Sequence, residues 1–376
     1  MSTRQDWSDA LLDARREVGD PEADAVVAKI RETGRGGAYA IGLLLRDLVD
    51  NDDVPAHSLP PAVRDYFEDT ALAPWADPAK MELASAIFLR NAGLFPLVLH
   101  SAALPYCYAA RKGVQVLART GRLESSAQRR VVETAQFILD VMSPGGLAFD
   151  EARVGYGVRS AQKVRLMHAA IRGLLREDPT WDPRWGAPIN QEDLAGTLLS
   201  FSIISLQALE RLGVDFSADE REAYVHHWNV IGRLLGVDED LLAGDYAAGV
   251  RLAATIARRQ HAPCPEGPMM TRALLEYVDY TIPGSALDGL LALLIHEHAG
   301  REVAEILGVP RPALDRRWLV ALGAYGGAQD GLGDRSPLFR HLSIAYGRLL
   351  LGGLLLAYRG PKREPFRIPS ALRSVS

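Results

Sequence analysis

Apolar residues recur at the helical period of about 3.6 along almost the whole chain, and no run alternates at the period of two that a half-buried strand requires. This pattern constrains the fold more than any other feature. About fifteen segments read as helices, so the chain is expected to be all-α. At 376 residues, with 48% hydrophobic and 24% charged, it has enough apolar material for one large helical domain. The Gly/Pro turn at 143–158 and the Trp/Pro segment DPTWDPRWGAPIN carry large side chains and read as ordered connections, so a single domain over 1–376 is expected.

Several function classes drop out early. No strand, Gly-rich loop and helix follow one another, so a nucleotide-phosphate cradle is not expected. The 42 basic and 47 acidic residues give a net charge of −5, without the basic stripe that nucleic acid requires. Cys107 and Cys264 are the two cysteines, and neither lies in a CxxC or CxxCH motif. The N-terminus MSTRQDWSDALLDARREVGD lacks the apolar core of a signal peptide, and LLLGGLLLAY (348–357) is too short to span a bilayer. A cytoplasmic protein without a membrane span is the expectation.

Helix boundaries are marked by side chains. Ser125 with Gln128 and Ser217 with Glu220 form capping-box patterns, and Asn190 with Asp193 opens a third helix. The first run ends at Ser143-Pro144-Gly145-Gly146 and the second near Gly236.

Two helices carry the candidate chemistry. In KVRLMHAAIR (163–172), His168 shares an apolar face with Ala161, Val164, Ile171 and Leu175, while Arg165 and Arg172 lie along one edge. An imidazole on a flat apolar face edged by guanidinium groups suits haem, with His168 on iron and the arginines near propionates. The same pattern also suits a core histidine hydrogen-bonded within the protein. In the second helix, Arg130 and Thr134 share a face one turn apart, with Glu133 beside them. They line a polar cavity, or Arg130 pairs with Glu133 and the Thr134 hydroxyl bonds back to the helix. His226 and His227 point about 100° apart and cannot chelate together, although one could bond across the core. His296 and His298 are spaced i, i+2 and do not match a zinc helix.

LPYCYAARKGVQVLARTGRL (104–123), RRVVETAQFILDVM (129–142), KVRLMHAAIR (163–172), INQEDLAGTLLSFS (189–202) and YVHHWNVIGRLLGV (224–237) occur in that order. Together they resemble the family of latex clearing proteins (bacterial rubber oxygenases) and the fungal MpaB oxygenase. The resemblance covers about residues 20–240, with looser similarity in further helices over 240–358 and a basic arm at 360–376. It implies a globin-like helical core around a non-covalent haem b, with His168 as axial ligand and Arg130 and Thr134 on the distal side. Arg165 and Arg172 would anchor propionates, and Ala161 and Val164 would pack on the ring.

The implied activity uses O2 or peroxide on a small apolar molecule such as an isoprenoid, lipid or biosynthetic intermediate. Rubber oxygenases use an upstream glutamate as base. Here no acid occurs between Glu82 and Glu124, and the corresponding stretch is Gly113-Val114-Gln115. A lysine found three residues after the distal Arg in some of them is Glu133 here, and Glu133 becomes the acid/base candidate. These departures argue against polyisoprene cleavage, which stays as an alternative beside a non-catalytic haem carrier or sensor and a haem-free helical binding protein.

Overall fold

The computed structural model describes residues 7–32, 61–120, 125–150, 153–281 and 289–312, with isolated residues up to 327. In the helix that begins at Ser125, the side chains are described from Glu133 onward. The Ser125–Gln128 cap, the 348–357 run and the basic arm lie outside the described side chains and residues.

The described chain is helical almost throughout, as the periodicity requires. The helices are α1 (Asp9–Arg16), α2 (Pro21–Glu32), α3 (Pro61–Glu68), α4 (Pro78–Arg90), α5 (Phe95–Val98), α6 (Leu104–Ala109), α7 (Val114–Thr120), α8 (Ser125–Met142), α9 (Tyr156–Glu177) and α10 (Gln191–Leu199). They continue with α11 (Ser205–Arg211), α12 (Ala218–Leu234), α13 (Tyr246–Gln260), α14 (Glu266–Thr281), α15 (Leu290–His298) and α16 (Arg301–Ile306). The exception to the helical pattern is a small antiparallel hairpin, β1 (Phe149–Asp150) with β2 (Arg153–Val154), between α8 and α9. Two residues per strand are too few to leave an alternating signature in the sequence.

The caps behave as their residue types dictate. Ser217 and Glu220 form the reciprocal capping box of α12, and Asn190 accepts from the Asp193 amide at the start of α10. The apolar run after Asn190 is not one regular helix. Leu99–Ala103 and Ser200–Ile204 are π-helical turns, which join α5 to α6 and α10 to α11, and they pack against each other. Inserted turns of this kind displace a helix face by one residue, which the 3.6 period alone does not reveal.

α9 is the hub, packed along α8, α2 and α12. Its Ala161, Leu166, Ala169 and Leu175 are buried. The main apolar cluster runs from Trp7 to Leu294, and a second gathers Tyr108, Val114, Leu274 and Ile295 around α14 and α15. Among the described residues, no single helix is long and apolar enough to cross a membrane. One pair, Pro78–Arg90 with Phe95–Ala109, passes by length and composition but is bent by 92°. Its Ile87, Phe88, Phe95 and Val98 are core residues.

Candidate functional site

His168 lies near the middle of the 22-residue helix α9. The residue is partly buried, and burial, with a further contribution from the Arg172 charge, pushes its pKa down to about 4. The imidazole is therefore neutral at neutral pH. Its Nδ1 is buried with no hydrogen-bond partner. Burying a polar nitrogen without a partner costs about 1–3 kcal/mol. His100 Nε2, His227 Nδ1 and His298 Nε2 are buried in the same way, but each of those rings is bonded through its other nitrogen, whereas His168 bonds to no described residue through either. Ala161, Val164, Ile171 and Leu175 on the same face are all buried, as the helical wheel predicts.

One imidazole is not a site for a bare metal ion. Among the described residues, no group of three His, Cys, Asp or Glu side chains could hold one. A single axial nitrogen suits a metal that brings its other ligands in a macrocycle, so the residues present fit haem.

The two arginines beside His168 are already matched by carboxylates. Arg165 forks onto Asp20, Nε to Oδ2 at 2.6 Å and Nη2 to Oδ1 at 2.8 Å, and reaches Glu22 at 2.6 Å. Burial opposes the Arg165 charge, but the bonds to Asp20 outweigh it and raise the pKa. Arg172 is fully buried, pairs with Asp24 at 3.0 Å and donates to the Ile189 carbonyl at 3.3 Å. Through these pairs both guanidinium groups hold α9 to the α1–α2 corner.

α8 packs directly on α9. It places Arg130 and Thr134 one turn apart. Thr134 is half-buried, and the Arg130 side chain lies outside those described. Glu133 is half-buried and is not without a partner. The C-terminal end of α8 is fixed by His227, whose Nε2 meets the Val141 carbonyl at 2.9 Å. Both histidines of the α12 pair bond across elements, since His226 Nε2 accepts from the Asp77 amide at 2.8 Å. His296 faces the Pro310 carbonyl and His298 faces Ser101, so these two side chains diverge.

Sequence reading missed two further features. Carboxylates from distant helices stand against the stretch that lacks a local acid: Gln115 Nε2 donates to Glu266 at 2.9 Å, and Asp193 abuts Gly113. Glu192 is fully buried and is shared by Arg16, Arg259 and Gln260. The acidic start of α10 was visible, but partners more than sixty residues away leave no local signal.

A helical chain with a neutral imidazole that bonds to no described residue is the class that the fold and the site define. The model of the family described as ER-bound oxygenase mpaB/B'/Rubber oxygenase, catalytic domain, matches residues 83–327, and the chain belongs to this family. The match begins later than residue 20 and runs well past residue 240, so α1–α3 lie outside it. The chain is similar to the rubber oxygenase of Streptomyces sp. strain K30, 28% identical over 313 residues, covering 80% of this chain and 73% of that protein. Its fold is like that of a latex clearing protein solved in the closed state, with a TM-score of 0.73 at 24% identity over 95% of each chain. The protein is accordingly an oxygenase by class.

Proposed function

We propose that the protein is a haem b-dependent oxygenase acting on an apolar small molecule such as an isoprenoid, a lipid or a biosynthetic intermediate, with O2 or peroxide as oxidant. The observation that carries this reading is His168, neutral, partly buried and bonded to no described residue through either ring nitrogen. Bound haem would supply an iron centre able to activate the oxidant. His168 offers a lone pair that burial keeps unprotonated at neutral pH, and Ala161 and Val164 give a flat apolar wall beside it. On α8, Arg130 and Thr134 are donors for negative charge developing on oxygen. Glu133 is the adjacent group able to take or return a proton. Arg165 and Arg172 hold the helix in place.

We read the chain as one helical domain, because Leu290 and Leu294 of α15 join the main apolar cluster while Leu291 and Ile295 join the second. Cleavage of polyisoprene C=C bonds is the second reading, favoured by the similarity to a rubber oxygenase. Carbonyl products from a polyisoprene emulsion would select it over oxidation of a small molecule.

Titration of the purified protein with haemin tests the cofactor. The expected result is a saturable Soret band, lost or greatly weakened in His168→Ala. A protein that takes up no haemin, or a His168→Ala variant that binds it as the parent does, contradicts the reading.

A further inference from the structure

α2 lies outside the matched family region, yet it grips the helix that carries His168. Its carboxylates meet the α9 arginines in sequence order. Asp20 and Glu22 take Arg165, Asp24 takes Arg172 and Arg176, and Arg31 reaches Glu177 at 2.6 Å. In the first two sets, three guanidinium groups face three carboxylates, so the local charge is balanced. Arg165 and Arg172 stand one turn before and one turn after His168.

The seats of both arginines are built by backbone. A Cβ at Gly19 would land on the Arg172 guanidinium, and one at Gly236 on the Asp20 carboxylate and Arg165. The carbonyls of these two glycines are clasped by one fully buried side chain: Gln191 Nε2 donates to Gly19 at 2.7 Å and to Gly236 at 2.8 Å. Its Oε1 accepts from the Asp238 amide at 2.8 Å. Ile189, whose carbonyl takes Arg172, has a φ of 50°, a costly backbone angle for a β-branched residue. Surface ion pairs contribute little. These are different, because Asp20 and Arg172 are sealed from solvent and the Arg165–Asp20 fork fixes direction as well as distance.

We infer that this α2 strap is a positioning device for His168: Asp20 acting through Arg165, and Asp24 acting through Arg172, fix the rotation and depth of α9 and so aim the imidazole at its ligand. The inference rests on the haem reading above. Asp20 and Asp24 are positioning residues and touch no substrate. They act at one remove, through the helix, whereas an outer partner bonded directly to a metal-binding histidine costs about 10–100-fold in affinity when lost, so the effect expected here is smaller.

The test compares the parent protein with Asp20→Asn, Asp24→Asn and the conservative Asp20→Glu after loading with haemin. Two readouts are taken: the rate of haem transfer to an excess of a haem-scavenging apoprotein, and the iron–histidine stretching band by resonance Raman spectroscopy. Asp20→Asn should release haem several-fold faster, below the roughly ten-fold effect of losing a direct partner, and shift the band, with Asp24→Asn smaller in the same direction and Asp20→Glu closer to the parent. If Asp20→Asn does not fold, Asp24→Asn, whose carboxylate is partly exposed, carries the test. Variants that melt earlier but keep the parental release rate and band have lost only a structural contact, which overturns the inference and leaves the haem reading intact. A parent protein that takes up no haemin overturns both.

Discussion

His227 and His168 lie on helices that pack together, and burial pushes both imidazoles down to about 4. They differ in what surrounds the ring. His227 is 2% exposed and meets the Val141 carbonyl through Nε2, which pins α12 to the end of α8. The Nδ1 of each ring is buried without a partner, but His168, which is partly exposed as a residue, bonds to no described residue through its other nitrogen either. Equal desolvation therefore serves two purposes. In α12 it closes a structural contact, and in α9 it holds a lone pair ready for something the chain does not itself supply. A lowered pKa alone would not separate the two histidines; the partner at the other end of the ring does.

Acid should act on both sides of this comparison, since His168 carries the same shift in the haem-free protein. His227 and His298 are both buried and both lowered from 6.5 to about 4. Because the folded pKa lies below the unfolded one, the unfolded chain takes up these protons first. Their neutral forms favour the fold fully above about pH 6.5, and this stability is lost as pH falls toward 4. A ten-fold difference in proton affinity between the folded and unfolded chain is worth about 1.4 kcal/mol, so these two residues, together with His168 and His261, which carry the same shift, remove several kcal/mol from a total of about 5–15 kcal/mol. The thermal midpoint of the haem-free protein should fall steeply between pH 6.5 and 4.5. A flat profile across that window would contradict the burial of these rings.

Replacing His227 sharpens the comparison with a smaller effect. His227→Ala leaves the Val141 carbonyl unpaired and opens a void, at a cost of about 1–3 kcal/mol, while the haem spectrum should keep its position. A variant of normal stability, or one that loses haem as His168→Ala does, would show that the two histidines do not divide the work in this way. Denaturant unfolding and an absorbance scan on the same sample settle both points.

Much of the contrast was legible in the sequence. The apolar face around His168 follows from spacing, and Ala161, Val164, Ile171 and Leu175 are buried where the helical wheel puts them. The caps at Asn190 and Ser217 follow from residue type. The partners of Arg165 and Arg172 did not follow. Asp20 precedes Pro21 and reads locally as a helix cap, a role it also fills toward the Ala23 amide. Nothing local announces that its carboxylate also takes a guanidinium 145 residues away. The π turns at Leu99–Ala103 and Ser200–Ile204 were equally hidden, because one inserted residue shifts a face without changing composition. Gly19 and Gly236 read as ordinary turn residues until the arginines seated against them are seen.

The most direct test of His168 as the ligand removes the imidazole and supplies it from solution. His168→Gly should fold, bind haemin weakly and give an altered Soret band, and free imidazole should restore the parental spectrum in a saturable way. A His168→Gly protein that shows the parental spectrum without imidazole would contradict the assignment.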